Sequence, residues 1–268
     1  MKQFLKSFLK PTKVPQQPEL LSFQCNICGH FNKDIPKKIV KSREDQSCQH
    51  CKSSLRMRSV IYALSMELFG KNIILPDFPE DKTIVGIGMS DWEGYAGLLS
   101  EKLDYTNTYY HQEPKLDITN ITSEQEYDFI ISTDVFEHIP PPVEVAFINA
   151  QRLLKPGGVL IFTVPYMNEG ITKEHFPDLH DFRIVIHQGK SFLINVTKDG
   201  DEQVFDDLIF HGGDGFTLEM RMFAKKSLLE ELESAKFEHN KIYSDNISEF
   251  GIIWQISWAF PIAARKNI

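Results

Sequence analysis

The sequence predicts an α/β domain, a parallel sheet covered by helices on both faces, preceded by a small module held together by cysteines. Three observations carry this expectation. From residue 82 onward, short apolar strands alternate with helical segments, the pattern of a parallel sheet with crossover helices. All four cysteines fall into two C-x-x-C pairs near the N-terminus. No apolar run approaches the ~20 residues that a membrane span needs, and at 42% hydrophobic and 25% charged residues the 268-residue chain has an ordinary globular composition, with room for one full domain and one small module.

The elements follow in chain order. MKQFLKSFLK pairs Phe4-Leu5 with Phe8-Leu9 at helical spacing, but lysines interrupt the apolar run a signal peptide needs and Pro11 follows, so a frayed or packed terminus is expected over a membrane-surface helix. Cys25-x2-Cys28 and Cys48-x2-Cys51, 19 residues apart, have the spacing of a zinc ribbon: each knuckle turns two thiolates toward one point, and Gly29 supplies backbone freedom after the first pair. Four thiolates leave no open coordination position, so this zinc is expected to be structural; two disulfides or four free thiols are the alternatives. Without a secretory pattern the chain is expected in the cytoplasm, with no stable membrane insertion. SVIYALSMELFG then reads as a helix ending at Gly70, and Arg56 and Arg58 at its start suit either an anionic substrate or solvated surface positions.

The expected strands are TIVGIG, TNTYYH, YDFIIST and GVLIFTVP, with a helix from about Val143 to Leu154 and the turn Lys155-Pro156-Gly157-Gly158 before the last of them. Ligands in such sheets bind beyond the carboxyl ends of the strands, which singles out Gly86, Gly88, Ser90 and Asp91 after the first strand, Glu113 after the second as a partner for a ribose diol, and Asp117-Ile118 as partners for an adenine amine and edge. Downstream, SFLINVT and QVFDDLIF around KDGD read as a β-hairpin, and His211-Gly212-Gly213-Asp214-Gly215 reads as a loop able to close over a site. Final strands are expected near Ile252–Trp254 and Trp258–Phe260. The resulting division is a tail (1–20), a zinc ribbon (21–55), a linking helix (56–70) and a main domain (71–268) with an insert at about 166–222.

The block from Asp128 to Ile139, YDFIISTDVFEHI in full, together with Leu154–Gly158, resembles class I S-adenosylmethionine-dependent methyltransferases of the type 11-like group, and the ribbon followed by S-x-x-R-x-R resembles a subset with the same N-terminal addition. The resemblance implies a Rossmann-like fold with a seven-stranded, mostly parallel sheet, S-adenosyl-L-methionine as cofactor, and Thr133 and Asp134 at the cofactor site. EHFPDLHD and FHGGDGFTLEMRMF further resemble members found near bacterial sugar and surface-polysaccharide genes. One departure stands out. The family's first-strand motif, acid-x-Gly-x-Gly-x-Gly, here has Gly86 in place of the acid, keeps Gly88, and has Ser90 and Trp92 at the remaining glycines, so Asp91 or Asp134 is expected to meet the methionine ammonium. Val164-Pro165-Tyr166 lies one strand too late for the motif of base-directed amino-methyltransferases.

Methyl transfer is an in-line displacement that needs a positioned nucleophile, and a base when the acceptor is a hydroxyl. His175 and His180, then His138, are the leading candidates for that base, with His211 in the same insert. The expected function is O- or N-methylation of a small molecule or saccharide. An RNA methyltransferase is the first alternative, because residues 1–70 hold 12 Lys/Arg against 5 Asp/Glu; residues 71–268, with 17 against 32, oppose an extended RNA groove. A non-catalytic zinc-ribbon adaptor, suggested by the altered glycine motif, is the second.

Overall fold

The computed structural model describes residues 18–121, 126–211 and 217–268. The expectation for the first ten residues, and that for Gly212–Gly215, lie outside the described residues.

The ribbon is an antiparallel pair, β1 (Leu20–Gln24) and β2 (Phe31–Pro36), followed by one helical turn, α1 (Lys37–Val40). The two knuckles share a construction: the residue after each cysteine pair is left-handed, Gly29 at φ 76° and Lys52 at φ 66°. Glycine adopts this freely; lysine does so at a cost of roughly 1–2 kcal/mol. Phe23, Ile27, Ile35 and Val40 are buried in the same apolar cluster as Val60, Leu64, Leu99 and Phe129. The ribbon is therefore built into the core of the main domain and is not a tethered module.

The linking helix, α2 (Leu55–Phe69), ends at left-handed Gly70, whose amide caps Met66 O, as expected. Arg58 is fully buried on it and donates to the carbonyls of Ser53, Phe250 and Gly251 at 2.9–3.1 Å, with its guanidinium over the Phe23 ring. It joins ribbon, helix and C-terminal segment and reaches neither substrate nor solvent.

The main sheet follows from β3 (Asp81–Met89), α3 (Glu93–Lys102), β4 (Leu103–Thr108), β5 (Tyr127–Thr133), α4 (Glu144–Leu153) and β6 (Leu154–Thr163). Alternation along the strands assigns the two faces: Phe129, Ile131, Val159 and Ile161 turn toward α2, α3 and the ribbon, whereas Ile130, Leu160 and Phe162 turn toward α4 and the next helix, α5 (Lys225–Ser234). The Pro-Gly-Gly turn is absorbed into β6. Its residues from Leu154 to Val159 face Tyr127 to Phe129 of β5 across a register shift, Gly157 takes φ 76°, and a Cβ on Gly158 would lie 2.9 Å from the carbonyls of Lys155 and Tyr127.

Between β6 and α5 the insert forms β7 (Tyr166–Met167), β8 (Lys173–Glu174), the antiparallel sheet β9 (Asp181–His187), β10 (Lys190–Val196) and β11 (Glu202–Phe205), and β12 (Arg221–Ala224). The expected hairpin is β10–β11, and β9 extends it to three strands. The chain closes with β13 (Phe237–Ile242) and β14 (Ile262–Lys266), both antiparallel, giving the sheet order β13-β14-β6-β5-β3-β4. Among the described residues the sheet thus has six strands where seven were expected.

The last strands lie outside the segments read for them. Ile252 makes an isolated bridge to Ile247 and buries with Leu55 and Phe250, so the apolar 250s anchor the chain to the start of α2; the true edge strand, FEHNKI, is mostly polar and gave no apolar signal. No helix among the described residues is long and apolar enough to cross a membrane.

Candidate functional site

The sheet runs from β3 outward to β4 on one side and to β5 and β6 on the other, so the chain changes direction between β3 and β5 and leaves a crevice at their carboxyl ends. Two adjoining cavities of about 920 Å³ each open there. The first lies over β3 and β4, with Ser90, His111, Gln112, Asp117 and Ile118 on its walls and Phe182 and Ile184 of β9 across from them. The second lies between ribbon and insert, with Arg43, Arg56, Trp92, Tyr166, Glu219 and Trp258 among its walls. Ser90, Asp134, His138 and Thr217 line both, so the cavities meet at the tips of β3 and β5.

The residues singled out after the first strand divide. Ser90, at φ 57°, lines both cavities, and its amide donates to Thr108 O. Gly86 and Gly88 line neither. A Cβ on Gly86 would meet the Phe129 ring at 2.2 Å, and one on Gly88 would meet the Tyr105 hydroxyl at 1.9 Å, so both glycines serve packing behind the crevice. Asp91 also points away from it, 4% exposed, with its oxygens accepting from the Tyr95 hydroxyl at 2.7 Å and the Tyr105 hydroxyl at 2.5 Å. Burial pushes its carboxyl up to about 7, against the lowering effect of those hydrogen bonds.

In the second group, Asp117 and Ile118 line the first cavity, and Asp117 Oδ1 is fixed by the amide and hydroxyl of Thr119. Glu113 is exposed, accepts from the Lys115 amide and lines neither cavity; its neighbours His111 and Gln112 do.

The tip of β5 holds most of the polar chemistry. Thr133 lines the second cavity, and Asp134, at φ 55°, lines both. Arg43 grips Asp134 with two parallel bonds of 2.9 and 2.7 Å, Arg56 Nε stands 3.4 Å away, and the Thr163 hydroxyl donates at 2.8 Å. Burial works to raise the Asp134 carboxyl, but the two guanidinium groups and Thr163 outweigh it and hold it down at about 2. Glu44 pairs with both arginines, at 3.0 Å from Arg56 Nε. The adjacent Glu137 is buried, and its Oε2 has no hydrogen-bond partner among the described residues. Burial, and next the charge of Asp134, push the Glu137 carboxyl far above its ordinary range.

His138 Nδ1 lies 3.0 Å from Leu218 O, which assigns the proton to that nitrogen and the lone pair to Nε2. Burial also holds this imidazole below its ordinary pKa. Its ring centroid is 5.5 Å from that of His211, whose Nε2 meets Glu219 Oε2 at 2.6 Å; the other oxygen of Glu219 meets His175 Nε2 at 2.8 Å. His175 therefore reaches the second cavity only through Glu219. His180 lines neither cavity, and its amide is held by Asn195 at the base of β10.

Sequence reasoning missed Arg43, Glu137 and Glu219. Glu137 stood inside the quoted E-H-I turn, and Glu219 inside FTLEMRMF, but Arg43 lies 91 residues from Asp134 with no motif around it.

In the ribbon the sulfurs of Cys25, Cys28, Cys48 and Cys51 lie within 4.8 Å of one another. The 25–51 and 28–48 pairs are 3.7 Å apart, well beyond the ~2.05 Å of a disulfide, and this set of four convergent thiols fits a tetrahedral, sulfur-preferring metal.

Residues 62–192 match a family model described as a methyltransferase domain. No curated protein matches the chain. Among solved structures, the chain is similar to the 1,6-didemethyltoxoflavin-N1-methyltransferase of Burkholderia thailandensis, crystallised with 1,6-didemethyltoxoflavin and S-adenosylhomocysteine, at 13% identity over 79% of this chain and 78% of that one, with a TM-score of 0.44. An S-adenosylmethionine-dependent methyltransferase of Clostridium acetobutylicum is 12% identical over 81% and 93%, at 0.46, and the sugar N-methyltransferase KedS8 of Streptoalloteichus is 13% identical over 79% and 87%, at 0.43. The matched segment takes in β3 to β6, so the part of the chain that builds the parallel half of the sheet and the crevice at its strand ends is similar to a methyltransferase domain.

Proposed function

We propose that the chain methylates an oxygen or nitrogen of a small-molecule or saccharide acceptor held in the second cavity, with His138 taking the acceptor's proton and zinc holding the ribbon. The carrying observation is that the two cavities meet at Ser90, Asp134 and His138, where the His138 ring is held through Nδ1 by Leu218 O. S-adenosylmethionine, when bound, supplies a methyl group on a positively charged sulfur, an electrophile that needs only alignment and a dry site.

The first cavity's residues suit the adenosine end: Asp117 for the amine, the apolar edge of Ile118, and Phe182 and Ile184 to exclude water. Ser90 and Asp134 stand at the junction. In the second cavity Trp92, Tyr166 and Trp258 present aromatic surface, and its volume of about 920 Å³ suits a small ligand of one or two rings. His138 Nε2 accepts a proton from the acceptor, and the charges of Asp134 and Glu219 both favour the imidazolium formed. His211 is 45% exposed, which opens a path for that proton to solvent. His175 fixes Glu219 and is a positioning residue in this scheme.

One observation weighs against the RNA alternative. Arg43, Arg56 and Arg58, three of the ribbon side's basic residues, turn inward onto Asp134, Glu44 and backbone carbonyls. The test is transfer of a labelled methyl group to a panel of amino sugars, hydroxyl sugars and small amines, alongside folded RNA, using protein with measured zinc content. Transfer to a small acceptor that His138→Ala abolishes supports the proposal; transfer to RNA alone, with salt-sensitive affinity, overturns it.

A further inference from the structure

Among Gly86 to Trp92, the first-strand turn presents no charged side chain to either cavity for the amino-acid end of the cofactor. Gly86 stands where the family has an acid and is roofed by Phe129, and Asp91 is enclosed by two tyrosine hydroxyls. An α-amino acid tail carries one ammonium and one carboxylate, and each is costly to bury without a partner.

The tip of β5 has the complementary groups. Asp134 lies at the junction of the cavities, while Arg43 and Arg56 line only the second. Arg43 Nε is a buried donor with no hydrogen-bond partner among the described residues, although the rest of its guanidinium is engaged by Asp134 and Glu44. With Glu44 and Asp134 ionised, the row Glu44, Arg56, Arg43, Asp134 has zero net charge. An ion of single sign gains little from such a row, whereas a zwitterion laid antiparallel to it gains at both ends.

We infer that Asp134 and the ribbon's Arg43, with Arg56 behind it, form the binding site for the amino-acid tail of the cofactor: Asp134 takes the ammonium, and the arginine pair takes the carboxylate. The inference rests on the cofactor assignment of the first cavity. It makes the ribbon part of the cofactor site, because Arg43 sits between the two cysteine knuckles and Arg56 follows the second.

Calorimetry on the full, zinc-loaded chain tests this with two ligands, S-adenosylhomocysteine and 5′-methylthioadenosine, which share the nucleoside and sulfur but differ in the amino-acid tail. The wild type is expected to prefer S-adenosylhomocysteine by roughly 100-fold or more, and Arg43→Ala and Asp134→Asn are each expected to weaken it at least ~10-fold while changing methylthioadenosine affinity less than about 3-fold. Arg56→Gln should show the same selectivity with a smaller loss, and because the wild-type comparison needs no variant, a misfolded substitution does not blunt the test. Equal wild-type affinities, or variants that weaken both ligands alike, overturn the tail site and leave the cofactor assignment standing. A wild type that binds neither ligand overturns both.

Discussion

Two strand ends flank the crevice, and their side chains do different things. The turn after β3, where family resemblance puts the cofactor-binding glycines, is mostly packing: Gly86 under Phe129, Gly88 against Tyr105, Asp91 enclosed. The tip of β5 has gathered Asp134, Glu137 and His138, and draws in Arg43 and Arg56 from the ribbon. A parallel sheet thus fixes where a ligand goes, at the strand ends beside the change of direction, without fixing which strand end supplies the polar groups.

The largest expected effect separates the two strand ends through the metal. The ribbon shares its apolar core with α2 and α3, and structural zinc in small modules contributes on the order of 10 kcal/mol of apparent binding free energy. Removal of zinc by a chelator, or Cys48→Ser, should lower the melting temperature by more than ~10 °C and increase amide hydrogen exchange at residues 134–138 well before it does so at 86–91. Simultaneous loss of protection at both strand ends would show that the β5 tip does not depend on the ribbon in particular.

Next in size is His138→Ala. If His138 is the base proposed above, it should be worth ~10²–10⁴ in kcat, with the Kd for S-adenosylhomocysteine within about 3-fold of wild type. His180→Ala, outside both cavities, should leave kcat within ~2-fold. A reversed ranking would move the chemistry away from β5.

Much of the fold was legible because its signals are local and periodic. Alternation in YDFIIST and the cysteine spacing are visible along the chain itself, and both appear in the structure as β5 and as four convergent sulfurs. The polar edge strand FEHNKI and the apolar segment around Ile252 were not, because one is placed by pairing with β14 and the other by burial against Leu55. The site was legible as a set of loops and less so as a set of partners. Asp117, Ile118, Ser90 and Asp134 line the crevice, but nothing along the chain relates Arg43 to Asp134 or Glu219 to His175, since those pairs form only when ribbon and insert fold over the sheet.

At the β3 end, the enclosed Asp91 should show itself through pH. Its folded pKa, about 7, lies above the ordinary 3.8, so its contribution to stability is full below pH ~4 and is lost as pH rises through about 7. At roughly 1.4 kcal/mol for each tenfold change in proton affinity, that rise corresponds to at most on the order of 4 kcal/mol. Asp91→Asn cannot titrate, so the difference in stability between variant and wild type, followed by urea titration from pH 4 to 8, should move steadily in the variant's favour as pH rises. A difference that stays flat would mean that the Asp91 carboxyl titrates at its ordinary value and that the pair of tyrosines keeps it ionised.

The smallest effect tests most directly whether the turn after β3 serves packing alone. Gly86→Ala places a Cβ into the ring of Phe129, its register partner on β5, which is itself stacked on Tyr105. Overpacking of this kind costs about 1–3 kcal/mol, and the methyl group points into the sheet's packed face, away from both cavities. Stability should therefore fall while the Kd for S-adenosylhomocysteine changes less than about 3-fold at temperatures where the variant is folded. Phe129→Leu in the same chain opens space for the new methyl, so the double variant should cost less than the sum of the two single substitutions, a coupling that two neighbours sharing one cavity produce. If Gly86→Ala instead abolishes S-adenosylhomocysteine binding in a folded protein, and Phe129→Leu does not restore it, the turn after β3 cradles the cofactor through its backbone and does not serve packing alone.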